Sequence, residues 1–140
     1  QRFKSTKISG GYILNVASSA GLFPAGPYMA TYYATKAYVT SLTQAVAREL
    51  KEEKSDIFVG ALCPGPVDTE FNDVANVEFA LPGITPRYCV TYALKQMFDH
   101  RKIVIVPTLR MKLAILGVRL LPRDQVVAIT AGQQKKKRLQ

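Results

Sequence analysis

The chain alternates short apolar runs with longer segments of helical character. Residues 12–17, 57–62 and 103–106 are rich in Val, Ile, Leu and Ala, which is typical of strands buried on both faces of a parallel sheet. Residues 30–50 contain no Gly or Pro and predict a helix between the first two strands. Thr85 followed by Pro86 predicts the start of a second helix, which we expect to end near residue 100.

The order strand, helix, strand, helix, strand predicts right-handed crossovers and an α/β fold with a parallel sheet. Three strands form a small sheet, and the first one is as apolar as a central strand. We therefore expect this strand to pair with further strands that precede the chain. Residues 67–84 have mixed character and predict irregular structure with short helical pieces.

The carboxy-terminal segment combines a leucine repeat with most of the charge. Leu109, Leu113, Leu116 and Leu120 recur at helical spacing, and Pro122 separates them from a second amphipathic segment. Residues 101–140 carry ten basic residues against Asp124 alone, whereas residues 1–100 are neutral, so this segment accounts for the net charge of +9. Two interpretations stay open: a cover over a substrate pocket with a solvated tail, or a peripheral contact with an anionic membrane.

Composition excludes several other classes of protein. An apolar content of 48% fits a soluble globular domain. Cys63, Cys89 and the single His100 offer no zinc-ligand spacing, so we expect no metal site. The sequence does not open with a secretory signal, and no apolar run is long enough to cross a bilayer. We expect a cytoplasmic protein, or one bound peripherally to a membrane, and no nucleic-acid partner.

Tyr32 and Lys36 lie four residues apart, which places both side chains on one face of the predicted helix. A Lys ammonium beside a phenol favours the phenolate, and such a phenol can exchange a proton with a carbonyl or alcohol oxygen. The spacing alone is common by chance. However, Ser18 follows the first strand and Pro64-Gly65 follows the second, and ligand chemistry collects at the carboxyl edge of parallel strands.

Three ordered segments, NVASSAG, YYATKAYV and LCPGPVDTEF, resemble the second half of the short-chain dehydrogenase/reductase family. The resemblance covers about residues 10–107 and extends to a bacterial subgroup of uncharacterised oxidoreductases. It implies the last three strands of a Rossmann-type doubly wound sheet. It also implies hydride transfer between NAD or NADP and a small-molecule carbonyl or alcohol.

The resemblance also implies a role for each matching residue. Tyr32 is the general acid and base. Lys36 favours the phenolate of Tyr32 and binds the nicotinamide ribose, and Ser18 polarises the substrate oxygen. The implied neighbours of the nicotinamide and pyrophosphate are Pro64, Gly65, Val67 and Thr69, while Asn15 is implied to be structural.

The sequence departs from the family pattern in two ways. Ser18 stands fourteen residues before Tyr32, whereas the family usually has its serine thirteen residues before the tyrosine. Ser19, which has that spacing, remains an alternative. The glycine-rich phosphate segment, the Asn-Asn-Ala-Gly segment and the helix Asn of the family do not occur in this chain. We therefore expect activity only together with an amino-terminal half, and the choice between NAD and NADP stays open.

The predicted organisation has two parts. Residues 1–107 are the carboxy-terminal half of an NAD(P)-binding catalytic domain, and residues 108–140 are a basic amphipathic extension. The resemblance suggests a homo-oligomer that pairs through the helix of Tyr32. The competing hypothesis is a non-catalytic, truncated scaffold or interaction module, whose basic tail binds a membrane or an acidic surface.

Overall fold

The computed structural model describes residues 10–70, 82–99 and 102–138, with residues 136–138 described by their backbone alone. The three strands and the two helices predicted between them are present in this part of the chain, while most of the short helical pieces predicted within residues 67–84 would lie outside the described residues. The third strand is shorter than predicted, and the carboxy-terminal segment forms two helices separated at Pro122. The elements are β1 (Gly11–Val16), a short 3-10 helix (Ser19–Leu22), α1 (Ala30–Glu52), β2 (Ile57–Leu62), α2 (Pro86–Phe98), β3 (Val104–Ile105), α3 (Leu109–Leu120) and α4 (Arg123–Arg138).

The three strands form one parallel sheet in the order β1-β2-β3. The register aligns β1 and β2 along their whole length, from Gly11 opposite Ile57 to Val16 opposite Leu62. Pairing continues past the strands, because the Ala17 amide donates to the Leu62 carbonyl at 2.8 Å. The carboxyl ends therefore meet at one edge, as the predicted α/β fold class requires.

Alternation along the strands builds a core on each face of the sheet. Ala61, Cys63 and Val106 face one cluster, which Val39 of α1 and Ile115 of α3 complete. Leu62 and Ile105 point the other way, into a cluster completed by α2. The result is three layers with helices on both faces, so each strand needs the apolar character seen in the sequence.

Side-chain caps explain where two of the helices begin. The Thr85 hydroxyl accepts a hydrogen bond from the Tyr88 amide at 3.3 Å, and the next position is Pro86, as predicted. The Thr108 hydroxyl accepts from the Met111 amide in the same way at the start of α3. Each cap satisfies a backbone donor that the helix itself leaves unpaired.

In the described part of the chain, β1 stands at the edge of the sheet. It leaves large apolar side chains in solvent, with Tyr12, Ile13 and Val16 exposed by 46%, 41% and 62%. A strand that is apolar on both faces and open along one edge is suited to further pairing. That additional strands pair with β1 in the whole polypeptide stays a prediction.

Candidate active site

Ser18 lies in the turn that leaves β1. It adopts an extended backbone before the 3-10 helix, and its Oγ accepts a hydrogen bond from the Ala20 amide at 3.1 Å. The side chain is 8% exposed. Because the amide occupies a lone pair of the hydroxyl, its hydrogen stays available to donate to another oxygen.

Lys36 and Tyr32 meet at the same edge of the sheet. The Lys36 ammonium donates to the Val16 carbonyl at 3.1 Å, so it is tethered to the carboxyl end of β1. Its nitrogen also lies 5.8 Å from the centroid of the Tyr32 ring, within the range of a cation–π contact. Both side chains are partly buried. The predicted pair is thus adjacent, and one member is fixed to the strand that ends before Ser18.

The Pro64-Gly65 loop is joined to the serine turn. The Ser19 amide donates to the Pro64 carbonyl at 2.8 Å. The methyl carbon of Met111 in α3 approaches Gly65 so closely that an added Cβ would lie only 2.8 Å from it. Pro64 and Gly65 therefore lie at the edge that holds Ser18.

The remaining predicted cofactor contacts lie farther along the same loop. Val67 forms a parallel bridge with Ile84, and the amide of Asp68 donates to the Ile84 carbonyl at 3.0 Å. Thr69 follows in an exposed position. Residues 71–81 lie outside the described residues, so the predicted irregular segment is described only at its two ends.

Buried threonines hold α1 against the sheet. The Asn15 amide nitrogen donates to the Thr43 hydroxyl at 2.9 Å, which matches the structural role expected of Asn15. Thr40 donates to the Lys36 carbonyl at 2.8 Å, and its Oγ1 lies 3.7 Å from the Cys63 sulfur. Neither threonine was singled out in the sequence, although polar residues inside an apolar helix face are a recognisable signal.

Tyr33 differs from Tyr32 in its environment. Its hydroxyl accepts a hydrogen bond from the Gln134 side chain of α4 at 3.0 Å. Burial raises the pKa of Tyr33, and the neighbouring Tyr32 adds to this effect, while the bond from Gln134 opposes it. Because its hydroxyl is engaged by a side chain of α4, Tyr33 joins α1 to α4.

Tyr33→Phe is expected to lower the free energy of unfolding by about 1–3 kcal/mol, because the buried Gln134 amide would lose its acceptor. Urea unfolding of the variant measures this change. Tyr38→Phe is the matched control, since Tyr38 lies on the same helix with 67% exposure. An unchanged Tyr33→Phe midpoint would mean that water replaces the phenol at no cost.

The loop between Ser18 and Tyr32 has a feature that no sequence signal indicated. Tyr28 has a φ of 68°, which is rare for a bulky residue and is found where surrounding contacts enforce it. The Lys135 nitrogen of α4 lies 5.9 Å from its ring, and the Arg123 guanidinium donates to the Pro24 carbonyl at 3.5 Å. The last helix therefore lies across the loop that leads to the Tyr32 helix.

The remaining candidate groups are the two cysteines, the possible metal ligands and His100. Burial raises the pKa of the Cys63 thiol, opposed by bonds from Thr40 and the Ser18 backbone and by the Lys36 charge. Cys63 and Cys89 are both free and buried. No cluster of potential metal ligands occurs among residues 10–70, 82–99 and 102–138, and His100 lies outside these ranges.

The arrangement of Ser18, Tyr32 and Lys36 leads to a comparison with known proteins. A family model described as short chain dehydrogenase matches residues 3–78. The chain belongs to the short-chain dehydrogenase/reductase family. This confirms the resemblance drawn from the three sequence segments and makes the protein a member of an oxidoreductase family.

Curated relatives align over most of the chain. Retinol dehydrogenase 10 from Homo sapiens is 32% identical over 128 residues, which cover 88% of this chain and 37% of that protein. Dehydrogenase/reductase SDR family member 11 from Bos taurus is 36% identical over 72 residues, covering 51% of this chain and 28% of its own. The chain thus spans well under half the length of these relatives.

Solved structures of the family share the fold. A short-chain dehydrogenase from Sphingobium yanoikuyae in complex with NADPH superposes with a TM-score of 0.60 at 33% identity, covering 79% of this chain and 43% of that one. One from Burkholderia cenocepacia in complex with NADP gives a TM-score of 0.68 at 26% identity, covering 86% and 49%. These structures confirm the Rossmann-type α/β fold class.

Across the described residues, none of the helices combines the length and the apolar character that a bilayer-spanning helix needs.

Proposed function

We propose that the protein is an NAD(P)-dependent oxidoreductase that interconverts a carbonyl and an alcohol, with Ser18, Tyr32 and Lys36 as its catalytic residues. The observation that carries this proposal is the tether from Lys36 to the Val16 carbonyl. It holds a cation beside the Tyr32 phenol at the strand edge where the Ser18 turn begins. The serine turn thereby supplies a hydrogen-bond donor, and α1 supplies a proton donor and a fixed charge.

Each side chain has a distinct task in carbonyl reduction. The Ser18 oxygen accepts a hydrogen bond from the Ala20 amide. The Ser18 hydroxyl in turn donates a hydrogen bond to the substrate carbonyl oxygen and keeps its proton. The Tyr32 hydroxyl gives its proton to that same oxygen as negative charge develops there. The Lys36 ammonium stabilises the phenolate that remains. In alcohol oxidation the same groups act in reverse, and Tyr32 accepts the proton.

The residues of the site fit the nicotinamide end of a dinucleotide. The Lys36 ammonium has three N–H donors. One of them bonds to the Val16 carbonyl, which leaves two for ribose hydroxyls. Pro64 and Gly65 lie at the same edge, where the Ser19 amide donates to the Pro64 carbonyl, and Val67 and Thr69, farther along this loop, are proposed as further cofactor contacts. When bound, the nicotinamide supplies or accepts the hydride. The NADPH and NADP complexes of the two dehydrogenases support this cofactor class. Titration of the full-length protein with each cofactor would decide between NAD and NADP.

We propose the domain division on similar grounds. Residues 1–107 carry the catalytic groups, and residues 108–140 add α3 and α4, which cover the loops at the site. The proposed homo-oligomer would use the outer surface of α1, where Tyr38 and Leu42 are exposed by 67% and 44%.

The proposal is tested by NAD(P)H oxidation with a panel of carbonyl compounds, using the full-length protein. Lys36→Met is expected to lower kcat/KM by about 10²-fold or more, because both phenolate stabilisation and ribose binding are lost. Lys51→Met, at an exposed position in the last turn of α1, is the matched control and should retain activity. Oxidation that is equally fast in Lys36→Met would contradict the proposed site, whereas no oxidation by wild-type protein with any carbonyl would favour the scaffold hypothesis.

A further inference from the structure

Helix α3 exposes a continuous row of leucines, here called the leucine stripe: Leu109, Leu113, Leu116 and Leu120. Their exposed fractions are 70%, 59%, 54% and 79%. At about 100° of rotation per residue, the four side chains fall within about 60° of one another on the helix surface. Scattered exposed leucines are ordinary on a protein surface, but an aligned row along a whole helix marks a contact surface.

The opposite face of α3 is already occupied by the protein core. Ile115 is 8% exposed and packs with Ala61, Cys63 and Val106, and Met111 packs against the same cluster. The helix is therefore anchored in a fixed orientation, with the stripe directed away from the core. Rotation of α3 to bury the leucines would expose Ile115, so the packing of Ile115 holds the stripe on the outer side of the helix.

Positive charge borders the stripe on both sides. Helical geometry places Arg110 about a quarter turn to one side and Arg119 about a quarter turn to the other, and both are exposed. Arg123 and Lys135 add exposed charge on α4. Asp124 is the single acidic residue between positions 101 and 140, so the segment itself is strongly positive.

We infer that this face docks on an anionic lipid bilayer, with α3 lying in the plane of the membrane interface. Leucines directed into the acyl boundary and arginines at its edges, where they reach lipid phosphates, are the arrangement that binds amphipathic helices to membranes. The acidic head groups complement the positive charge. This inference stands on α3 and α4 and does not depend on the proposed catalytic role.

A second copy of the chain fits the same surface poorly. A symmetric contact through the stripe would bring Arg110 and Arg119 of one copy towards those of the other, with Asp124 as the only acid in this segment to offset them. Like charges at a contact are unfavourable. An anionic bilayer satisfies both the apolar row and its basic borders.

The inference is tested by sedimentation of the full-length protein with vesicles of phosphatidylcholine alone or mixed with phosphatidylserine. Leu113→Gln combined with Leu120→Gln should reduce partitioning onto the mixed vesicles about tenfold or more, because two apolar side chains no longer leave water. Val90→Gln combined with Leu94→Gln is the matched control, since both side chains are exposed on α2 and lie away from the stripe and from α1. Arg110→Gln combined with Arg119→Gln should remove the preference for the mixed vesicles, and added salt should weaken it.

Two results would overturn the inference. One is partitioning that is unchanged by the stripe substitutions while thermal unfolding confirms the fold. The other is a change of oligomeric mass in the stripe variant without any change in vesicle binding, which would assign the surface to a second copy of the chain.

Discussion

Tyr32→Phe is expected to reduce kcat for carbonyl reduction by about 10²–10⁴-fold, the range that a positioned proton donor contributes. The substitution removes only the hydroxyl, so the ring remains beside the Lys36 ammonium, which lies 5.8 Å from its centroid. Cofactor affinity should change much less than kcat, because Lys36 keeps its place at the Val16 carbonyl. Steady-state kinetics and a fluorescence titration with NAD(P)H separate the two quantities.

Tyr33→Phe serves as the control for this prediction. The adjacent phenol is engaged with Gln134 and has a pKa raised by burial, so its loss should affect stability and leave kcat within a few-fold of wild type. Equal losses of kcat in the two variants would show that helix packing, and not proton transfer, accounts for the effect. Retained kcat in Tyr32→Phe would reject the assigned role.

Gly21→Ala is expected to lower both stability and activity. A Cβ at this position would overlap the Lys36 carbonyl oxygen and lie 2.9 Å from the Ala37 amide nitrogen. Both neighbours are backbone atoms of α1, which cannot rotate away as a side chain could. The loop or the helix must shift, at a cost of about 1–3 kcal/mol. Because the helix carries Lys36, the same shift should reduce kcat.

Gly117→Ala is the matched control for Gly21→Ala. Gly117 lies inside α3, and an added Cβ would meet nothing within 4 Å. Alanine should therefore stabilise the helix by about 0.5–1 kcal/mol. Opposite signs in urea unfolding would confirm that the close approach at Gly21 matters. A Gly21→Ala variant as stable as wild type would mean that α1 is not pressed against the serine turn.

Local patterns predict much of this fold. Residues 57–62 form β2 as expected, and the Thr85-Pro86 signal marks the start of α2. A short apolar run and a helix cap each depend on a few adjacent residues, so the local sequence is enough to predict them. The third strand is only Val104–Ile105, although four apolar residues predict it. Its length depends on how far β2 can pair with it, which a pattern within one segment does not encode.

The candidate site likewise has a part that local sequence predicts and a part that it does not. The spacing of Tyr32 and Lys36 is a local property of a helix, and the edge of a parallel sheet brings the Ser18 turn towards Pro64. The bond between Gln134 and Tyr33 joins residues 101 positions apart. Like the close approach of Gly21 to α1, it follows from packing of distant elements. The amino-acid sequence alone contains no signal for the Gln134–Tyr33 bond or for the approach of Gly21 to α1.

The most direct test of the proposed function follows deuterium from NAD(P)H that is deuterated at both C4 positions into the product of a single turnover. The full-length wild-type protein should deliver the label to the carbinol carbon of a reduced carbonyl substrate. Tyr32→Phe should bind the cofactor but form the labelled alcohol at least about 10²-fold more slowly, and Tyr33→Phe should match wild type. Label transfer at the wild-type rate in Tyr32→Phe would contradict the proposed proton transfer. An unlabelled alcohol would contradict hydride transfer altogether.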